Sequence, residues 1–298
     1  MKKLLLVLGC LLWLHGAVSA CEGCGCSIGS NGIGLVSAFQ FNTVGTRWSY
    51  IPFRSSNTEF GGTQDYFHRV ELRIQYHLSP KLRVELVQPY QLNAREDYNG
   101  RRLLDGWGDT RLSANYALLN NIRIGSSSKL YFEAGLGLKS AFGQYKADLH
   151  LDDFPENFNP GNGSWGYIGQ SRLVYTRGNW GLSASTFYQR NGKTAEGYRF
   201  GDQWANNLLV FWQKTLSDQW QITPFGGWSF EKVAFDYNNR DRRVQSTSGN
   251  GQFLTAGFNL QFARWLLASS YAIPIKQSYS EGDVVAKNRF SVELSFLF

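Results

Sequence analysis

Apolar and polar residues alternate with a period of two through most of this chain. The pattern is clearest over the last ten positions, 289–298, where the apolar residues share one parity: Phe290, Val292, Leu294, Phe296 and Phe298. Arginine, serine and glutamate occupy the other parity. Such alternation predicts a strand with one apolar and one polar face. A charged face backed by an apolar face is typical of a membrane-barrel strand, whose charges line the lumen.

A predicted hairpin repeats this pattern earlier in the chain. Residues 69–78 and 82–86 both alternate, and Ser79-Pro80 between them predicts a tight turn. A soluble sandwich would bury the apolar face against a second layer, whereas a membrane barrel would turn it to lipid. Alternation alone does not separate these two folds.

The lengths of the connections do separate them. About twelve alternating segments are predicted, and the long connections between them lie at 43–64, 93–107, 143–164, 191–202, 233–249 and 276–283. Short connections alternate with these near 79–80, 120–128, 177–179, 217–218 and 263–264. Outer-membrane barrels have short periplasmic turns and long external loops. We therefore predict an all-β fold, a transmembrane antiparallel up-and-down β-barrel of about twelve strands over residues 33–298.

The beginning of the chain predicts export. Lys2 and Lys3, an apolar run over 4–14 and small residues before Ala20 are typical of a secretory signal peptide, predicted over residues 1–20. We expect the barrel to lie in the cell outer membrane with both termini in the periplasm. The C-terminal strand, which ends on Phe298, is the expected contact with the barrel assembly machinery.

Composition agrees with a membrane barrel. Ten Trp, 15 Tyr and 21 Phe are enough for aromatic girdles at the two membrane interfaces, with outer-membrane lipid as the surrounding partner. Five tryptophans fall at predicted strand ends: Trp165, Trp180, Trp204, Trp220 and Trp265. Without Lys2 and Lys3 the formal net charge falls from +7 to +5, and the charge is scattered. Nucleic acid is therefore not an expected partner.

A Cys- and Gly-rich periplasmic segment is predicted over residues 21–32. It contains Cys21, Cys24 and Cys26, for which three interpretations stay open. The thiolates suit a soft metal such as Cu(I) or Zn, although zinc usually takes four ligands. Two of them suit a disulfide in an oxidising compartment. Val18-Ser19-Ala20 before Cys21 also resembles a lipoprotein cleavage site.

The polar parity of the strands identifies candidate lumen residues. These are Arg69, Glu71, Arg73, His77, Arg83, Glu85, Arg111, Glu133, Arg172, Arg289 and Glu293, with Lys139 and Glu231 on the same parity. Their mixed signs favour ion-paired cross-links. Because about twelve strands enclose more space than side chains fill, we expect water, a solute path or an inserted segment inside.

No catalytic machinery is expected. The chain has no phosphate-binding loop, metalloprotease motif or nucleophile elbow. His68 supports the one enzymatic alternative, because a lipid-facing histidine near the outer rim is where a barrel lipid hydrolase would place it. We predict that the protein is not an enzyme.

Three short motifs carry a family resemblance: Gly106-Trp107-Gly108-Asp109, Gly135-Leu136-Gly137-Leu138-Lys139 and Gly161-Asn162-Gly163-Ser164-Trp165. Their order and spacing resemble the outer-membrane proteins of the meta-pathway phenol-degradation family, related to channels for hydrophobic compounds, and the cysteine start resembles a Cys-rich subgroup. Ser140-Ala141 after Lys139 departs from the Pro-Thr usual there.

The resemblance implies a transporter or channel that moves a small solute, hydrophobic or metal, across the outer membrane. The alternative is a plugged barrel, a metal-binding or structural display protein without solute flux.

Overall fold

The computed structural model describes residues 41–55, 62–149 and 154–298. The predicted signal peptide and the 21–32 segment, with Cys21, Cys24 and Cys26, lie outside the described residues, as does the predicted start of the barrel at residue 33. In the part that is described, no helix is long and apolar enough to cross a membrane.

The described residues form seventeen strands. They are β1 (Thr43–Ser55), β2 (Thr63–His77), β3 (Leu82–Asp97), β4 (Gly100–Trp107), β5 (Arg111–Ile124), β6 (Ser128–Lys139), β7 (Gly166–Arg177), β8 (Trp180–Asn191), β9 (Gln203–Trp212), β10 (Lys214–Thr215), β11 (Trp220–Val233), β12 (Asp236–Tyr237), β13 (Arg243–Val244), β14 (Gly249–Phe262), β15 (Trp265–Tyr279), β16 (Val284–Ala286) and β17 (Arg289–Leu297). Two short 3-10 turns, Glu156–Phe158 and Ser280–Gly282, complete the regular structure of this part of the chain.

Twelve long strands close into one antiparallel barrel. They follow the order β1, β2, β3, β5, β6, β7, β8, β9, β11, β14, β15 and β17, and β17 pairs with both β15 and β1. Closure removes the unpaired edges that an open sheet would present. The predicted fold, an up-and-down barrel of twelve antiparallel strands, is confirmed.

Cross-strand register explains why one face is charged and the other apolar. Arg47 on β1 lies opposite Glu293 on β17 and Glu71 on β2. One residue further along, Trp48 lies opposite Val292 and Val70. Because successive side chains point to opposite faces of a sheet, the register carries each parity around the wall without interruption.

Two predicted external loops are wrong in part. β1 continues to Ser55 through the region assigned to the 43–64 loop, and β4 occupies Gly100–Trp107 within the 93–107 loop. The run from Tyr50 to Phe53 is apolar on both parities, so it showed no alternation. From Arg95 onward, polar residues occupy both parities of β3, which is expected where a strand rises out of the membrane.

Aromatic side chains mark both ends of the barrel wall. Trp180, Trp220 and Trp265 begin β8, β11 and β15 at the end with the short turns. Trp204 and Trp212 lie at opposite ends of β9, eight residues or about 26 Å apart along the strand. With a tilt near 40°, that separation projects to about 20 Å along the barrel axis, slightly less than the apolar band of about 25 Å in an outer-membrane barrel.

Candidate functional site: the barrel lumen

Buried charges cross-link strands that are not neighbours in the barrel. Arg83 Nη2 on β3 donates to Glu133 Oε1 on β6 at 2.7 Å, passing over β5. Arg111 Nη2 on β5 donates to Glu71 Oε1 on β2 at 2.7 Å, passing over β3. Only side chains on the concave face of the wall can span an intervening strand. These four residues therefore line the lumen.

Further ion pairs extend this network around the wall. Arg73 Nη2 lies 2.6 Å from Glu85 Oε1, and its Nη1 lies 3.2 Å from Glu71 Oε2. Arg47 Nε donates to Glu293 Oε2 at 2.8 Å. With Arg172 near Glu133 and Arg69 near Glu71, the central network has six arginines, Arg47, Arg69, Arg73, Arg83, Arg111 and Arg172, and four glutamates, Glu71, Glu85, Glu133 and Glu293. It carries an excess of two positive charges.

Two further ion pairs lie outside the central network, and each pairs one arginine with one carboxylate. Arg289 on β17 donates two hydrogen bonds, of 2.7 and 2.8 Å, to the carboxylate of Glu231 on β11, which also accepts from the Tyr279 hydroxyl. Arg95 on β3 donates two hydrogen bonds, both 2.8 Å, to Asp65 on β2. Both arrangements balance their charge internally, so they stabilise the wall without adding to the net charge of the lumen.

The described residues between β6 and β7 fold into the lumen at the end with the long loops, here called the upper lumen. We call residues 140–149 and 154–165 the crossing loop. Its Phe158 packs against Phe67 of β2, with 4.8 Å between ring centroids, and lies beneath the Arg95 guanidinium at 4.9 Å. Asn93 Nδ2 donates to the Phe158 carbonyl at 2.7 Å. The loop therefore leaves the wall at β6 and reaches β3 and β2, two and three strands away around the barrel.

Apolar residues of the crossing loop join a buried cluster on the opposite wall. The cluster comprises Ile51, Phe53, Phe67, Leu149, Phe154, Phe158, Phe253, Tyr279, Val284 and Ala286. Its wall residues come from β1, β2, β14, β15 and β16, whereas Leu149, Phe154 and Phe158 come from the loop. The hydrophobic effect thus holds the loop across the lumen.

A buried ion pair anchors the base of the crossing loop. Lys139 Nζ, at the end of β6, donates to Asp109 Oδ2 at 2.8 Å and to the Ser164 carbonyl at 2.7 Å. Asp109 also accepts from the backbone amides of Gly143 at 3.1 Å and Asn162 at 2.8 Å. The three motifs that carried the family resemblance therefore meet at this anchor.

Two glycines allow the two ends of the crossing loop to approach each other. A Cβ on Gly161 would lie 2.6 Å from Gly143 Cα, and a Cβ on Gly143 would lie 2.6 Å from Asp109 Oδ1. The Gly161 amide donates to the Gln144 carbonyl at 2.9 Å. Residues 144 and 161 thus form a closed neck, beyond which the loop enters the lumen.

Two cavities lie below and beside the crossing loop. The upper cavity, of about 70 Å³, lies between the loop residues Asn157, Asn159 and Asn162 and a wall that includes Arg69 and Arg111. The lower cavity, of about 50 Å³, is lined by four arginines, Arg73, Arg83, Arg111 and Arg172. Arg111 is the residue that lines both cavities.

The two histidines of β2 lie on opposite faces of the wall. At the short-turn end, the His77 backbone amide donates to Asn42 Oδ1 at 2.8 Å, and the His77 Nδ1 atom lies 3.3 Å from the same oxygen. His68 lies on the outer face, where its ring stacks on Trp48 at 6.0 Å and approaches Tyr50 at 5.0 Å. This position is in an aromatic girdle, the environment expected at a membrane interface.

Acidic groups of the outer loops are buried together. Asp236 of β12 accepts from the Tyr198 hydroxyl and the Gly201 amide, both at 2.6 Å. Burial raises the pKa of Asp236 to about 6. Burial and then the Asp236 carboxylate raise the pKa of Glu156, in the crossing loop, to about 7. Over residues 41–55, 62–149 and 154–298, however, no group of three or more His, Cys, Asp or Glu side chains could hold a metal ion.

Sequence reasoning did not identify Asp65, Arg95, Asp109, Asp236 or Tyr198 as lumen or loop-anchoring residues. Arg95 lay in a stretch assigned to a loop, and Asp109 was noted only as part of a motif. A continuation of the period-two pattern beyond residue 93, with Asn93 and Arg95 on the polar parity of β3, was the available signal.

No family model and no curated protein matches the chain. Its structure is similar to that of the COG4313 outer membrane channel from Pseudomonas putida F1, with a TM-score of 0.63, 12% identity and coverage of 87% of this chain and 96% of that chain. It is also similar to the β domain of the Bordetella autotransporter Brka, with a TM-score of 0.51, 12% identity and coverage of 87% and 100%. These similarities establish the fold, that of an outer-membrane β-barrel.

Proposed function

We propose that this protein is an outer-membrane channel for small polar or charged solutes. The observation that carries the proposal is the pair of cavities that share Arg111 as a lining residue inside a closed barrel wall. A barrel that served only as a scaffold would have no need of interior space lined by charges. The aromatic girdles at both ends of the wall support a position across a membrane.

The crossing loop sets the size limit in this proposal. It spans the upper lumen from β6 to the apolar cluster on β1, β2 and β14, so a solute must pass beside it. The remaining route lies along Arg69, Gln189 and Gln203, which line the upper cavity together with residues of the loop. A narrow polar route of this kind favours small hydrophilic solutes over bulky apolar ones.

Single-channel recording in planar bilayers tests the proposal. We expect small, discrete conductance steps from the purified barrel. A variant in which Asn-Gly replaces residues 145–160 should give larger steps, because residues 144 and 161 already meet at the neck and the wall is left intact. Liposome swelling with sugars of increasing size should show the same increase in the size limit.

A matched control changes an outer loop that does not enter the lumen. Asp241→Asn breaks the exposed contact between Asp241 and Lys193 and should leave the conductance unchanged. Absence of conductance in the wild type and in the shortened-loop variant, with both folded, would contradict a channel. That result would favour the alternative function, a plugged barrel that displays its loops or its N-terminal thiols.

A further inference from the structure

We infer that the channel selects small organic anions, carboxylates with a short apolar body, and that Arg111 is their principal contact. This inference rests on the proposed channel function and adds a solute class to it. Three observations carry it: the charge balance of the two cavities, the apolar wall of the lower cavity, and the unused amide of Asn157.

Positive charge is in excess in both cavities. Four arginines but only two carboxylates, Glu85 and Glu133, line the lower cavity. Arg69, Arg111 and Lys139 line the upper cavity, against Asp109 alone. Arginine keeps its charge at any physiological pH, so this excess is permanent. Because walls of low dielectric constant focus the field of fixed charges, the excess should concentrate anions in the lumen.

The lower cavity also has an apolar side. Ile168 of β7 and Phe187 of β8 line it and pack in one buried cluster with Ala205 and Val233. A carboxylate held by the guanidinium groups would place its apolar body against this side. A guanidinium fork matches the two oxygens of a carboxylate, which favours this head group over a spherical anion.

The upper cavity offers neutral hydrogen-bond donors beside its cations. Asn157 projects from the crossing loop into this cavity, and both polar atoms of its side chain are buried without a hydrogen-bond partner among the described residues. Because a buried amide without a partner is unfavourable, a bound solute or water is expected to hydrogen-bond to it. Gln189 and Gln203 line the same cavity. Together they supply N–H groups to carboxylate oxygens on the way to Arg111.

Reversal potentials across a KCl gradient measure charge preference independently of conductance. We expect the wild-type barrel to favour chloride over potassium. Arg111→Gln should lower the permeability ratio by roughly sevenfold, because one charge about 7 Å away in water shifts the energies of chloride and potassium by about RT each, in opposite directions. Arg111→Lys should restore the ratio, and Arg101→Gln, on the exposed part of β4, should leave it unchanged.

Three solutes of similar shape but different head groups then test whether the channel prefers a carboxylate. Benzoate should reduce the chloride current through the wild type at lower concentration than benzyl alcohol or benzylamine, and Arg111→Gln should remove this difference. Equal effects of all three solutes would overturn the carboxylate assignment. A conducting wild type that prefers potassium, or has no preference, would overturn the inference and leave the channel intact. No conductance at all would overturn the proposed function itself.

Discussion

Lys139 and Asp109 form a buried ion pair, with 2.8 Å between Nζ and Oδ2, at the point where the crossing loop leaves the barrel wall. Their side chains are only 4% and 5% exposed. The pair therefore links wall strands to a loop that lies inside the lumen. Loss of one partner would leave the other charge in a poorly solvated site.

Asp109→Asn should strongly destabilise the crossing loop. The amide has almost the shape of the carboxylate but leaves the Lys139 charge uncompensated, at a cost of about 3–5 kcal/mol. We expect a lower free energy of unfolding in urea and faster tryptic cleavage after Lys146, in the loop. Asp241→Asn is the matched control, because its contact with Lys193 is exposed and should contribute less than about 1 kcal/mol. Equal effects of the two substitutions would show that the anchor is unimportant.

Gly161→Ala should open the neck of the crossing loop. Its Cβ would lie 2.6 Å from the backbone of Gly143, and such overpacking costs about 1–3 kcal/mol. Gly169→Ala, on β7, meets no atom within 4 Å and should be neutral or slightly stabilising. Thermal unfolding of the two variants, followed by tryptophan fluorescence, distinguishes these outcomes. A fully stable Gly161→Ala variant would contradict the close approach.

Order in the outer loops should depend on pH through Glu156 and Asp236. Their pKa values are raised to about 7 and about 6, above the ordinary values of 4.5 and 3.8. The folded arrangement therefore favours the protonated carboxyls. Its stabilisation is complete below about pH 4 and is lost as the pH rises through 6 and 7.

Hydrogen exchange measures this pH effect. After correction for intrinsic exchange rates, protection of amides in 154–162 and 198–202 should fall between pH 5 and pH 8. Glu156→Gln should flatten the profile for 154–162, since the neutral amide cannot ionise. Asp218→Asn, in a short turn at the opposite end of the barrel, should leave it unchanged. Protection that rises with pH in the wild type would have the wrong sign for this mechanism.

Metal binding by the N-terminal cysteines stays a prediction from sequence. We expect about one Cu(I) or Zn ion per chain in protein purified without chelators, and loss of that metal in a Cys24→Ser/Cys26→Ser variant. Elemental analysis of the two proteins measures it. Metal-free protein in both cases would instead favour a disulfide or a lipid anchor at Cys21, which mass spectrometry of the N-terminal peptide would identify.

The amino-acid sequence by itself determined the barrel. Alternation over residues 69–78 and 289–298 predicted strands with a charged and an apolar face, and the alternation of short and long connections predicted an antiparallel up-and-down order. These are local properties, since the two faces of a strand are set by a period of two residues. The residues of the central charge network could be named for the same reason, except Arg47, which lay in the stretch 43–64 assigned to a loop.

Only the tertiary structure decided which charges meet. Arg83 reaches Glu133 and Arg111 reaches Glu71 across an intervening strand, at distances in sequence of 50 and 40 residues. Such contacts depend on the curvature and register of the closed barrel, which no local pattern specifies. The path of the crossing loop is similarly non-local, because its apolar residues find their partners on the opposite wall. The sequence thus specified a barrel with a charged interior, and the closed fold decided how that interior is divided and where a solute can pass.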